Sequence, residues 1–168
     1  MASGPEFNLA HCEGTAVLAV SGGGRVGVDV ERLRPGFADE AVAERFFAPG
    51  EIARLRRLAP EERARAFFAC WTRKEAVLKA LGGGLWLPLD AFEVTFETGR
   101  RPQLLSCALA GTDASAWELH DLSGALDGHI VALAVERSDR GRPVPITMLE
   151  PPYQRRAQPG PTFDKEQL

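Results

Sequence analysis

The sequence has no apolar run approaching the roughly 18 residues that a membrane-spanning helix needs, so a membrane protein is not expected. The opening Met1-Ala2-Ser3-Gly4-Pro5 has neither a basic region nor an apolar core, so no secretory signal is visible in it. Cysteine is scarce: Cys12, Cys70 and Cys107 are odd in number and share no metal-binding or redox spacing. That pattern suits a reducing compartment, and the expected location is the cytoplasm. A basic surplus is also missing. The formal charge is −3, so the overall footprint of a nucleic-acid binder is absent. There is no Gly-x-Ser-x-Gly elbow, which argues against a common serine hydrolase. Gly22-Gly23-Gly24 lacks the Lys-Ser/Thr that completes a phosphate-binding loop. No internal repeat is visible.

What is present is an ordinary globular composition. The 168 residues are 45% hydrophobic and 26% charged, enough to enclose one core. Two β-prone runs, Thr15 to Val20 and Arg25 to Glu31, flank Ser21-Gly22-Gly23-Gly24, which predicts a hairpin. Ala38 to Phe47 reads as helical. Pro49 and Pro60 each suit the first turn of a helix, where a missing N–H costs nothing. The second of these helices is long and runs to Leu81, and Gly82-Gly83-Gly84 ends it. Strand signals follow at Phe92 to Glu97, Ala116 to Leu122 and His129 to Glu136. The expected fold class is α+β, an antiparallel sheet packed on a long helix. Residues 1–137 form the folded domain, and the Pro-rich residues 138–168 form a flexible or loosely docked tail.

Three groups of residues invite a chemical reading. Val26, Val28 and Val30 alternate with Gly27, Asp29 and Glu31, so on a strand the two carboxylates share one face. They either form a solvated outer face or attract a hard cation such as magnesium, which prefers oxygen ligands. Phe67, Cys70, Trp71, Lys74, Val77, Leu78 and Leu81 recur at helical spacing. Lys74 breaks that apolar stripe. Either its stem lies on Trp71 while the amine reaches water, or it serves a function. Glu75 and Lys79, four apart, are either a surface ion pair or part of a site. His120 and His129 read as structural or exposed.

Together these segments resemble the phosphopantetheinyl transferases, specifically the two-lobed, surfactin-synthetase-activating type. Gly27-Val28-Asp29-Val30-Glu31 is similar to the family's first metal motif, and Trp71-Thr72-Arg73-Lys74-Glu75-Ala76-Val77-Leu78-Lys79 to its second. Arg45 to Glu51 resembles the intervening helix entry, and Gly84 to Leu89 the segment after the second motif. Phe7-Asn8-Leu9-Ala10-His11-Cys12 resembles the segment before the first, with Ala10 and Cys12 where the family usually carries serine. The resemblance runs from about Phe7 to about Glu136. It implies one lobe of a two-lobed fold, mainly the C-terminal one, with most of the N-terminal lobe missing.

The resemblance further implies transfer of 4'-phosphopantetheine from coenzyme A to a serine of an acyl, polyketide or peptidyl carrier protein, with Mg2+ as cofactor. Asp29, Glu31 and Glu75 are then the metal ligands. Glu75, Lys79 and Lys74 are the catalytic residues, and His11, Lys74 and Lys79 meet coenzyme A. Nucleic acid and membrane are not expected partners. Two alternatives stand beside it: a poorly active lobe that binds carrier protein or coenzyme A, and a homo-oligomer that completes its site by self-association. Arg54, Arg56, Arg57, Arg63 and Arg65, clustered before the second motif, read either as a solvated helical surface or as a docking surface for an acidic carrier protein.

Overall fold

A computed structural model describes residues 4–83, 87–137 and 142–150. The chain runs β1 (Glu6–Cys12), β2 (Thr15–Ser21), β3 (Val26–Arg32), α1 (Glu40–Phe46), α2 (Pro49–Arg57), α3 (Pro60–Leu81), β4 (Phe92–Val94), β5 (Leu104–Cys107), β6 (Trp117–Asp121) and β7 (His129–Glu136). The fold is α+β. Three antiparallel sheets are present among the described residues: β1-β2, β3-β7-β6 and β4-β5.

The expected hairpin is corrected. β2 pairs with β1, and the tight turn is Glu13-Gly14, both with positive φ (44° and 85°). Two consecutive positive φ values match the twist of a two-residue hairpin. The glycine run instead carries the chain from one sheet to the other, and β3 takes β7 as its partner. Gly24 is needed there, since a Cβ on it would lie 2.3 Å from the Glu136 carbonyl oxygen. The strand expected over 92–97 is laddered only across Phe92–Val94, with a register shift at Glu93/Val94.

The helices follow their local signals. Asp39 caps α1 by accepting from Val42 N. Pro49 and Pro60 stand in the first turns of α2 and α3. Gly82 closes α3 at φ 72°, its N–H donating to the carbonyls of Leu78 and Lys79.

Helix α3 lies across one face of β3-β7-β6, and the β1-β2 hairpin covers the other. Val26, Val28 and Val30 pack with Val131, Leu133 and Val135 beneath Ala10, Val17 and Ala19 of the hairpin. Gly27, Asp29 and Glu31, on the opposite face and opposite Ala134, Ala132 and Ile130, look toward α3. Gly27 permits that approach. A Cβ there would stand 2.1 Å from the Ala76 carbonyl oxygen and 2.5 Å from Ala80 N. Both faces of β3 are therefore covered, and the solvated-face reading of its carboxylates does not hold.

Candidate active site

Strand β3 and helix α3 cross closely, and four charged side chains meet at the crossing. Asp29 is buried, with 6% of its surface exposed. Lys79, one helical turn beyond Glu75, donates to Asp29 Oδ1 at 2.6 Å and to the Val28 carbonyl at 3.2 Å. Asp29 Oδ2 is buried and has no hydrogen-bond partner. Glu31 and Glu75 are half-buried. Cys12, from the end of β1, donates through Sγ to Glu31 Oε2 at 3.7 Å. On the hairpin side, Asn8 Oδ1 accepts from Val28 N at 3.0 Å and fixes the edge of β3 beside the carboxylates.

The Asp29 charge reaches both Glu31 and Glu75. Burial raises the Asp29 carboxyl above its ordinary value, against the opposing pull of the Lys79 amine. Glu31 is raised first by burial and then by the Asp29 charge. Glu75 is raised by burial, then by Asp29 and, less, by Glu31, with Lys79 acting the other way. Buried like charges of this kind favour protons or a cation.

Among the described residues, no three His, Cys, Asp or Glu side chains stand close enough together to enclose a metal ion. Closing such a site requires side-chain movement. The donors nonetheless suit a hard cation: all are carboxylate oxygens, one of them buried and unpartnered, and Glu31 and Glu75 are open enough to swing toward it.

Two expected residues stand elsewhere. Lys74 does not join the cluster, and its amine does not reach water. It is fully buried, 2.5 Å from Glu51 Oε2, 2.5 Å from the Phe92 carbonyl oxygen and over the Phe92 ring. The reason is rotational: successive helical residues point about 100° apart, so Glu75 faces β3 while Lys74 faces β4. His11 is exposed on the outward face of the hairpin, opposite Ala16. Of the supporting segment Gly84 to Leu89, residues 84–86 lie outside the described residues, as do 138–141 and 151–168 of the expected tail. Within that tail Val144 N donates to Glu118 Oε2, and its side chain packs against the valine core.

The arginine cluster divides. Arg54 is structural: it pairs with Glu93 at 2.9 Å and Glu97 at 3.2 Å, donates to the Val94 carbonyl and covers Phe96. Arg56 pairs with Glu44, and Arg63 donates to the carbonyls of Leu58 and Arg56. Arg57 and Arg65 are exposed.

Sequence reasoning missed Cys12 and Asn8 as neighbours of the site, and Glu51 as the partner of Lys74. Only Gly27 carried a local signal, an isolated glycine in a strand pattern, which often marks close backbone approach.

Comparison with known proteins decides the family. The profile of the 4'-phosphopantetheinyl transferase superfamily matches residues 25–134, which include both β3 and α3. The chain belongs to this superfamily. The 4'-phosphopantetheinyl transferase HetI of Nostoc sp. is 39% identical over 133 residues, covering 79% of this chain and 52% of that protein. The 4'-phosphopantetheinyl transferase AcpT of Salmonella typhimurium is 41% identical over 80 residues, covering 48% of this chain and 42% of that protein. This member of the superfamily thus spans about half the length of the curated relatives it matches. Among solved structures, the holo-[acyl-carrier-protein] synthase of Thermotoga maritima superposes with a TM-score of 0.52 at 24% identity, over 68% of this chain and 64% of that one, a likeness of fold.

Proposed function

We propose that this chain carries the cation and phosphate site of a Mg2+-dependent 4'-phosphopantetheinyl transferase, with coenzyme A as donor and a serine of an acyl, polyketide or peptidyl carrier protein as acceptor. The observation that carries the reading is the crossing of β3 and α3, where Asp29, Glu31, Glu75 and Lys79 meet inside the matched region. Asp29, Glu31 and Glu75 would hold the cation. Bound there, Mg2+ would neutralise charge on the pyrophosphate of coenzyme A.

The chain's own residues do the rest. Lys79 is held against Asp29 and is partly exposed. With Asp29 engaged by a cation, the Lys79 amine would be available to meet a phosphate. Glu75, half-buried on α3 with its carboxyl raised chiefly by burial, is the proposed proton acceptor. It takes the proton from the carrier serine, directly or through water. The serine oxygen bonds to the β-phosphorus of coenzyme A, the pyrophosphate P–O bond breaks, and adenosine 3',5'-bisphosphate leaves. His11, exposed near the hairpin end that holds Cys12 against Glu31, is a second candidate for the coenzyme phosphates. Lys74 has no access to either substrate. The proposed location is the cytoplasm. No described helix is long and apolar enough to cross a membrane.

A second reading is favoured by the outward face of β1-β2. Phe7, Leu9, Leu18 and Val20 are 71%, 57%, 60% and 63% exposed and lie side by side in the register. An apolar face of this kind marks a contact surface, and self-association over it would suit a lobe that needs a second copy. The test combines both readings. The chain is incubated with Mg2+, coenzyme A and an apo-carrier protein, the carrier is weighed by intact mass spectrometry, and the enzyme's mass in solution is measured in parallel. Phosphopantetheine added to the carrier supports transfer. A carrier left unmodified by a well-folded chain, whatever its oligomeric state, overturns it.

A further inference from the structure

The most deeply buried charge in the described fold is not in the site. Lys74 and Glu51 are both fully buried, and every polar atom of the pair is used. Glu51 Oε2 accepts from Ala48 N at 2.9 Å as well as from Lys74, and Oε1 accepts from Val94 N at 2.7 Å. Lys74 Nζ also donates to the Phe92 carbonyl. One ion pair therefore joins the entry of α2, the middle of α3 and β4. A buried pair is a poor way to gain stability, because well-packed apolar residues of similar volume often do as well or better. What the pair supplies is a single allowed geometry.

That geometry matters one residue further on. Glu75 follows Lys74, and its direction toward β3 is set by the rotation of α3 about its own axis. At the roughly 6 Å radius of helical side chains, a rotation of about 20° moves a side-chain end by about 2 Å. Ligand distances in a metal site tolerate only about 0.2 Å. Apolar packing along the rest of the stripe also opposes such a rotation, but the buried ion pair adds hydrogen bonds of fixed direction. Arg73 adds a second tie, to the Thr95 carbonyl just beyond β4 and to Asp121 of β6, but neither bond reaches the entry of α2, which the Lys74–Glu51 pair joins to α3.

We infer that Lys74 and Glu51 are positioning residues: their buried pair sets the rotation of α3 that brings Glu75 to the same cation as Asp29 and Glu31. The inference rests on the cation-site reading above. Lys74 touches neither substrate nor cation in this account and acts only through Glu75.

The informative variant removes the charge pair without leaving one charge alone. Lys74→Met combined with Glu51→Gln keeps the volume and retains an acceptor for a backbone amide. The probe is Mn2+, followed by water-proton relaxation on the full chain, beside the thermal midpoint and, where turnover is measurable, kcat and KM for coenzyme A. The double variant is expected to melt within a few degrees of the parent, to bind Mn2+ at least tenfold more weakly, and to lose kcat while KM changes less than twofold. Should the double variant not fold, Glu51→Asp keeps the pair but shortens one arm by about 1.5 Å, one carbon–carbon bond. It is expected to stay folded and to weaken Mn2+ binding severalfold. Unchanged Mn2+ affinity in whichever variant folds overturns the positioning role alone. A parent chain that binds Mn2+ no better than its Asp29→Asn variant removes the cation-site reading, and the positioning role with it.

Discussion

Two buried carboxylates, Glu51 and Asp29, both face a lysine of the same helix, yet they are built for opposite ends. Glu51 has both oxygens occupied, by Lys74 and two backbone amides, and no surface exposed. Asp29 has one oxygen bound to a lysine that is itself partly exposed, and the other oxygen buried without a partner. A buried charge with all its hydrogen bonds made holds a fold in one arrangement. A buried oxygen left bare costs free energy in the resting protein, and it keeps a place open for a ligand. The difference in satisfaction, rather than in burial, separates the face of α3 turned to β4 from the face turned to β3.

The largest effect expected from this contrast is on folding. Glu51→Leu leaves the Lys74 ammonium buried and unpaired, and breaking such a pair costs about 3–5 kcal/mol. The thermal midpoint should fall by about 10 °C or more. A midpoint within a few degrees of the parent's would mean that the two carboxylates are not different in kind.

The fold class is legible in the sequence, and so is the placement of two pairs of charged residues on shared faces. The alternation from Val26 to Glu31 places Asp29 and Glu31 on one strand face, and the four-residue step from Glu75 to Lys79 places those two on one helix face. What alternation cannot reveal is that both faces of β3 are covered. That follows from the partners α3 and β1-β2, which are chosen by tertiary packing. The burial of Lys74 is hidden for the same reason, because Glu51 is 23 positions away and only the fold brings them together. The glycine run at 22–24 drew the hairpin away from Glu13-Gly14, since glycine marks a change of direction without saying whether the next strand pairs with the last. β5 went unseen because its four residues, Leu104–Cys107, lack an alternating pattern.

A middle-sized effect concerns pH. Folding raises the Glu75 carboxyl, chiefly through burial and then through Asp29. The folded state therefore holds more protons than the unfolded one from the ordinary carboxylate range up to the raised value. Through that window Glu75 removes stability as pH rises. In the absence of divalent cations, Glu75→Gln should approach the parent's thermal midpoint near pH ~3, more than a unit below the ordinary glutamate value, where Glu75 is protonated folded and unfolded alike. It should exceed the parent's as pH approaches neutrality. A gap that stays constant across this range would show that folding does not raise the Glu75 carboxyl. Glu97, Asp121 and Glu136, all lowered in the folded state, work in the opposite sense and are common to both proteins, so the difference isolates Glu75.

The smallest effect separates structural from available arginines. Arg54 is tied to Glu93, Glu97 and the Val94 carbonyl, whereas Arg57 is exposed. Arg57→Glu is expected to raise KM for an acidic carrier protein a few-fold at low salt, to lose that effect as salt shortens the Debye length, and to leave KM for coenzyme A alone. Arg54→Glu is expected to lower the thermal midpoint instead. If Arg57→Glu moves both constants or neither, α2 is not a docking surface.

The distinction between Asp29 and Glu51 is tested most directly by calorimetric titration of Mg2+ into the full-length chain and its Asp29→Asn and Glu51→Gln/Lys74→Met variants, each first shown to be folded. The account predicts one saturable site in the parent, its loss or at least a tenfold weakening when Asp29 becomes asparagine, and a weakened site in the double variant. Equal Mg2+ binding by the parent and the Asp29→Asn chain would contradict it.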